Sequence, residues 1–416
     1  TFLWDTRNNR TDVYDFTTRI DSDRRTLTQE FRLISQPGAE LLGADWVVGV
    51  YALDLREDFR QRDTGNCAAA TCWTDEDVDY DVTATSRYEA TNLAAYAELG
   101  WSLGVDTRLT AGLRREVRDA EYRDSGNHRL DPVDRMTGGD LTLTHQLSAI
   151  TRADTAVWAR VARGYKAGGF NPSVLLLLDA VPPEDVPALE QRLEFKPESL
   201  WNYEIGIRAA APDGRWSLSL GAFLQDRDDQ QVKIPEHPLE SDPNTFLFFT
   251  ENAEEGSARG IELEATWSPV EAFSFGASAG LLDTEIERFS GRSELEGRRL
   301  AHAPRYTFAV NGTWRGEGGW FARIDYSGKD GYPIDFCQVE ECRLPDPETK
   351  AYQVLDLRAG RERGAWSVEA WVRNLLDEEY AVRGFWFGND PPDFAPAFYK
   401  RLGDPRHAGI TVKYRL

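Results

Sequence analysis

Five histidines, four cysteines and one Gly-x-Ser-x-Gly string are the residues here whose types could carry chemistry. His128, His145, His237, His302 and His407 are scattered and make no metal-ligand spacing. Gly276-Ala277-Ser278-Ala279-Gly280 spells the nucleophile elbow of a hydrolase, but that motif needs a sharp strand-to-helix turn. Here it sits inside an apolar–polar alternation with no helix after it. Carboxylate pairs abound in an acidic chain, so a glycosidase-like pair carries no meaning by itself. No catalytic residue, metal ligand set or cofactor is assigned. Cys67-x4-Cys72 and Cys337-x4-Cys342 are local pairs that would each close a small ring in a loop. They point to disulfides made in an oxidising compartment. Zinc is the alternative, but the spacing is not C-x2-C and no histidine lies near either pair. Ligand contacts are best sought among loop aromatics. Phe246, Phe248 and Phe249 occupy one long connection, and Phe385, Trp386, Phe387, Phe394, Phe398 and Tyr399 another. Such rings can pack on an aryl ligand, although loop-on-loop packing or lipid-headgroup contact would use them equally well.

The elements that position these loops have a side-chain period of two. In Leu200–Ala210, Trp201, Tyr203, Ile205, Ile207 and Ala209 oppose Asn202, Glu204, Gly206 and Arg208. After the tight turn Ala211-Pro212-Asp213-Gly214, Trp216, Leu218, Leu220, Ala222 and Leu224 oppose Ser217, Ser219, Gly221, Phe223 and Gln225. This is the signature of antiparallel strands. Fifteen such segments can be read: 25–36, 44–60, 85–101, 107–121, 139–150, 153–168, 199–210, 215–229, 257–268, 272–286, 303–315, 319–330, 350–361, 364–377 and 404–416. The gaps between them alternate short with long, and both cysteine pairs fall on the long side. Apolar rows that open on Trp, with charges kept to the other face, suit a transmembrane β-barrel with aromatic girdles.

Composition agrees. The 416 residues allow one large barrel. Mean hydropathy is −0.52, and no run approaches the length of a membrane helix. There are 13 Trp and 15 Tyr, which suits interfacial belts. The net charge of −22 argues against nucleic acid as a partner. Most acidic residues lie between strands, as solvated loops or as attractors of cationic or metal-bearing ligands.

The odd count of strands has a consequence. Bacterial single-chain barrels are even-numbered, and an open edge in lipid leaves backbone groups unsatisfied. Thr1–Ser22, rich in Asp, Arg, Asn and Thr, reads as loop, so further strands are expected upstream. Thr1–Asp5 has neither the basic start nor the apolar core of an export signal.

Several segments resemble one family in order. Arg163-Gly164-Tyr165-Lys166-Ala167-Gly168-Gly169-Phe170-Asn171 is similar to the strand-to-loop motif of TonB-dependent outer-membrane receptors. Pro197-Glu198 before Tyr203-Glu204-Ile205-Gly206, Asn252-Ala253 before Arg259-Gly260-Ile261-Glu262, and Asn374-Leu375-Leu376-Asp377 before Tyr380 resemble later motifs. The closing segment Gly403–Arg415 resembles the final, assembly-signalling strand, with Leu416 where the family usually has Phe. The resemblance implies an all-β, up-and-down transmembrane barrel. These fifteen strands of residues 1–416 would be the C-terminal portion of a 22-stranded wall, with the plug and first strands upstream. It also implies a monomeric active transporter of the Gram-negative outer membrane, in contact with lipid and lipopolysaccharide. Such a receptor binds a scarce ligand at its extracellular loops, most commonly a ferric siderophore. It is powered by the TonB complex through the plug, and is no enzyme. Cobalamin, glycans and aromatic degradation products remain open as ligands. In that setting the apolar run Val174–Leu178 could fold over the barrel mouth or against a plug. The competing readings are a passive 16-stranded porin-like channel, which would need residues 1–20 as a strand, and a secreted β-rich enzyme or adhesin.

Overall fold

A computed structural model describes residues 2–5, 14–67, 78–147, 153–176, 178, 183–184, 186–236, 247–334, 348–387 and 397–415. Eight long strands come first: β1 Tyr14–Ile34, β2 Ala44–Cys67, β3 Val78–Ser102, β4 Thr107–Asp124, β5 Val133–Gln146, β6 Asp154–Lys166, β7 Glu198–Ala210 and β8 Trp216–Glu236. Seven follow: β9 Leu247–Val270, β10 Phe273–Arg288, β11 Tyr306–Arg315, β12 Trp320–Lys329, β13 Tyr352–Arg363, β14 Trp366–Arg373 and β15 His407–Tyr414. Each is antiparallel to the next along the chain. With the short strands Phe2–Asp5 and Arg129–Leu130 they make one 17-stranded sheet, an up-and-down barrel wall.

The short connections are tight because their glycines supply positive φ. In Ala211–Gly214 the Gly214 amide donates to the Ala211 carbonyl at 2.9 Å, with Gly214 at φ 71°. The register then brings like residues together. Phe31 lies opposite Val50, and Leu220 opposite Leu263. These apolar rows are the exposed ones, with Phe31 at 67% and Ile205 at 63%, as a lipid-facing surface requires. At the short-turn end Trp216 pairs with Trp267, Trp267 with Phe275, and Phe273 with Trp314. Trp366 meets Tyr414 with ring centroids 4.8 Å apart. Together these rings form an aromatic belt. The alternate residues face the lumen, among them Glu30, Arg114, Asp140, Glu204 and Asp325.

The expected connection 61–84 is strand over Gln61–Cys67 and Val78–Ala84, so Cys67 ends a strand, and three further expectations need correction. Thr1–Ser22 is not all loop, since Phe2–Asp5 pairs with Thr17–Ile20 and Tyr14–Ser22 belongs to β1. Connection 230–256 is largely strand, because Gln230–Glu236 runs in register with Leu247–Ala253. Connection 378–403 holds a hairpin, Ala381–Phe387 against Ala397–Leu402. All three are rich in charge or aromatics, and cross-strand ion pairs hold the strand extensions beyond the bilayer. Arg24 Nε donates to Glu57 at 2.9 Å and Arg87 Nε to Asp58 at 2.6 Å on β1–β3. β3 has 25 residues, whereas a membrane crossing needs about 9–11, so more than half of it stands outside the bilayer.

Candidate functional site

A barrel wall has no central apolar core, so the buried side chains collect where long connections fold onto the strand extensions. One cluster joins Val232, Ile234, Ala253, Ile286, Phe289 and Leu295 at the tips of β8, β9 and β10. The other joins Tyr122 of β4, Phe249 of β9, and Val174, Leu189 and Leu193 from connection 167–197. Of the apolar run 174–178, Val174 is therefore packed against Tyr122 and Phe249 of the strand extensions, with Leu178 at the cluster's edge. Phe170 stacks on Tyr122 at 4.6 Å.

Polar side chains tie this connection down. Asn171 donates from Nδ2 to the carbonyls of Arg192 (2.7 Å) and Thr250 (2.9 Å), and its Oδ1 accepts the Thr250 amide at 2.9 Å. Asn252 does the same for Lys196 and Asp229. Buried Glu198 accepts from Arg227 Nη1 at 2.7 Å and from the Gln231 amide at 3.0 Å. Each satisfies backbone groups that a loop would otherwise leave bare. Gly168 and Gly169 lie where a β-carbon would collide with Phe195, so the strand exit needs residues without one. Tyr165 then crosses into the lumen, where its hydroxyl meets Arg114 Nε (3.0 Å) and Glu116 Oε2 (2.8 Å), with Asn92 on Oε1 at 2.6 Å. Arg114 and Tyr165 of this network line a lumenal groove of about 850 Å³ with Glu30, Asp140, Arg163 and Glu204.

Beyond the bilayer, His128 bridges two connections. Its Nδ1 lies 3.0 Å from Asp124 and its Nε2 3.2 Å from Glu190 of the short helix Val186–Glu190. Burial opposes its protonation, but the hydrogen bonds and charges of Glu190 and Asp124 outweigh burial and raise its pKa.

The sequence-predicted aromatics part ways. Phe249 is 0% exposed in the second cluster, whereas Phe248 is 37% exposed with Lys233 Nζ 4.4 Å from its ring centroid. Phe385 pairs with Tyr399 in the hairpin, Trp386 with Phe398, and Phe387 with Ala397. Phe246, Cys72, Cys337 and Cys342 lie outside the described residues, and Cys67 closes β2. Asn374 anchors the base of the hairpin connection. Its amide donates to Asp356 at 2.9 Å, and its side chain spans Glu378 and the Asp404 carbonyl. Among the described residues no group of three His, Cys, Asp or Glu could hold a metal ion.

A third assembly carried no sequence signal. Lys329, at the loop end of β12, places Nζ 3.2 Å from the Tyr332 hydroxyl and 5.4 Å from the Tyr352 ring centroid. Tyr352 stacks on Tyr380 at 4.3 Å, and His302 lies 5.8 Å from the Tyr332 ring. These residues come from three separate connections, so no spacing links them.

Lipid-exposed apolar rows, an aromatic belt and a polar lumen define a transmembrane β-barrel. The family model "TonB dependent receptor-like, beta-barrel" matches residues 1–375, and the chain belongs to that family. This is a family of receptors rather than enzymes. The Yersinia pestis pesticin receptor is 30% identical over 229 residues, 54% of this chain and 30% of that protein. The probable TonB-dependent receptor BfrD of Bordetella pertussis is 24% identical over 377 residues, 84% of this chain and 45% of its own length. Among solved structures, the ferric yersiniabactin uptake receptor FyuA from Yersinia pestis superposes with TM-score 0.68 at 22% identity, over 96% of this chain and 55% of that one. The ferric citrate transporter FecA gives 0.66 at 14% identity, over 97% and 56%. The chain thus spans between about a third and a little over half of the proteins it matches.

Proposed function

We propose that this chain is barrel wall from an outer-membrane transport receptor of a Gram-negative bacterium, which captures a ferric siderophore or similar metal chelate. Capture occurs at the long-loop mouth, the extracellular end, and import draws on TonB-transmitted energy. The observation that carries this reading is the pairing of a lipid-faced wall with a tied-down loop layer, in a family of TonB-dependent receptors. The names of FyuA, FecA and the metal-pseudopaline receptor of Pseudomonas aeruginosa support a metal chelate as the ligand class. Phe248 and the hairpin's Phe385, Trp386, Phe387 and Tyr399 are the proposed ligand-contacting aromatics, with Phe246 the remaining candidate. The Cys67–Cys72 and Cys337–Cys342 disulfides, lipid and lipopolysaccharide contact, and a monomeric state belong to the same proposal.

A passive 16-stranded channel is the second reading. It gains little support, since Phe2–Asp5 covers only four positions of β1 and pairs with no other described strand. Uptake of radiolabelled ferric chelates into cells carrying the full receptor separates the two. Uptake abolished by dissipating the proton-motive force supports the receptor, while unchanged, non-saturating uptake supports the channel.

A further inference from the structure

Charged groups facing the lumen are mostly paired. Arg114 meets Glu116, Arg118 meets Asp134, Arg323 meets Asp325, and Arg227 meets Glu198. Lys329 breaks the pattern. Trp320 and Ile324 are on the exposed face of β12, so alternation puts Lys329 on the inner face with Arg323 and Asp325. No carboxylate among the described residues pairs with it, in a chain with 70 acidic and 48 basic residues. Its ammonium instead rests on phenols, with Tyr332 at 3.2 Å and the rings of Tyr332 and Tyr352 at 4.4 and 5.4 Å.

Hydrogen bonds hold the surroundings, and Arg383 and Lys329 both bear on His302 as cations. Tyr332 is 2% exposed and donates its hydroxyl to the Val382 carbonyl at 3.0 Å, beside exposed Arg383. His302 holds a left-handed φ of 60°, fixed by its amide on the Pro333 carbonyl at 2.8 Å. A strained non-glycine residue kept in place by its neighbours fits a functional mouth. Burial, then Arg383, then Lys329 push the His302 pKa down. That imidazole is thus kept neutral, able both to donate and to accept. Tyr352 is steadied by Tyr380, which itself lies near Asp404 and Asp356.

We infer that Lys329, Arg383 and His302, walled by Tyr332 and Tyr352, form a subsite for an anionic carboxylate or phenolate arm of the metal chelate. The inference rests on the receptor reading above and names the charge and chemistry of its ligand. Lys329 supplies a point charge to the anionic oxygens, Arg383 closes the open side, and the phenol rings flank a planar arm. In an overall acidic molecule such a subsite also selects, since an anion held elsewhere on the surface would meet repulsion.

Binding to the full receptor in detergent is measured by quenching of intrinsic fluorescence. The two probes are ferric tricatecholate, which is anionic, and a neutral ferric trihydroxamate. Wild type should bind the anionic chelate more tightly. Lys329→Gln should weaken that binding about tenfold or more, the scale of a hydrogen bond to a charged group, and leave the neutral chelate unchanged. Lys329→Arg should restore most of the loss, and heat-modifiable mobility should confirm that each variant is folded. If chelates bind but Lys329→Gln and Arg383→Gln leave the anionic preference intact, the subsite is overturned while the receptor reading stands. If neither chelate, nor a metal-pseudopaline-type aminocarboxylate chelate, binds wild type, both fall together.

Discussion

Phe248 and Phe249 are adjacent in sequence and opposite in role, because consecutive residues of a strand point to opposite faces. Phe249→Ala should cost about 3–5 kcal/mol of local stability by emptying a packed site. Its readout is faster protease cleavage in 171–193 with the wall still heat-modifiable. Phe248→Ala should leave that cleavage unchanged and weaken chelate binding instead. Asn171→Ala strands two carbonyls and an amide, so it should open the same connection by about 1–3 kcal/mol, seen as lost hydrogen-exchange protection at Thr250. Asn171, Asn252 and Asn374 stand in the motifs that carry the family resemblance, but their partners were not legible. Asn171 reads as the end of a strand-to-loop motif, and nothing in the string shows that its side chain reaches Thr250, 79 positions away. Lys329, Tyr352 and His302 were silent for the same reason: strand register sets Lys329 opposite Tyr352, and His302 arrives on a separate connection.

At the scale of elements, the strands were legible wherever lipid touches one face. Each of the fifteen predicted segments has its counterpart, and several ends next to short turns agree to within a residue or so, as at Ala44, Thr107, Phe273 and Trp320. The opposite ends were misread, β9 by ten residues, because above the bilayer both faces are polar and the period of two vanishes. There, cross-strand ion pairs and the clamp at His128 replace hydropathy. The folded pKa of His128 lies above its ordinary value near 6.5. The clamp's contribution is therefore fully present below that value and is lost as pH rises through the folded pKa. Hydrogen-exchange protection of 125–132 and 186–190 should fall as pH rises above about 6.5, and His128→Phe should flatten that dependence.

For the whole molecule, the two faces of one strand make opposite demands. Leu220 sits midway along the lipid row of β8, with Leu263 and Ile207 in register. Leu220→Arg should cost about 2–4 kcal/mol in a bilayer. Ser219→Arg, one residue away on the lumenal face and opposite Glu264, should cost little. Urea titration of receptor folded into lipid vesicles compares them. Mass spectrometry of unreduced peptides tests the proposed disulfides, which require Cys67 linked to Cys72 and Cys337 to Cys342.

Neither the outer edge of β15 nor most of the outer edge of β1 has a partner strand among the described residues. In hydrocarbon each bare backbone group costs several kcal/mol, so a wall of this kind has no stable intermediate widths. Strands removed one by one should give no series of narrowing pores. They should give an adhesive ribbon whose seams seek each other or a second copy, and function should be restored in a single step, when the last missing strand closes the ring.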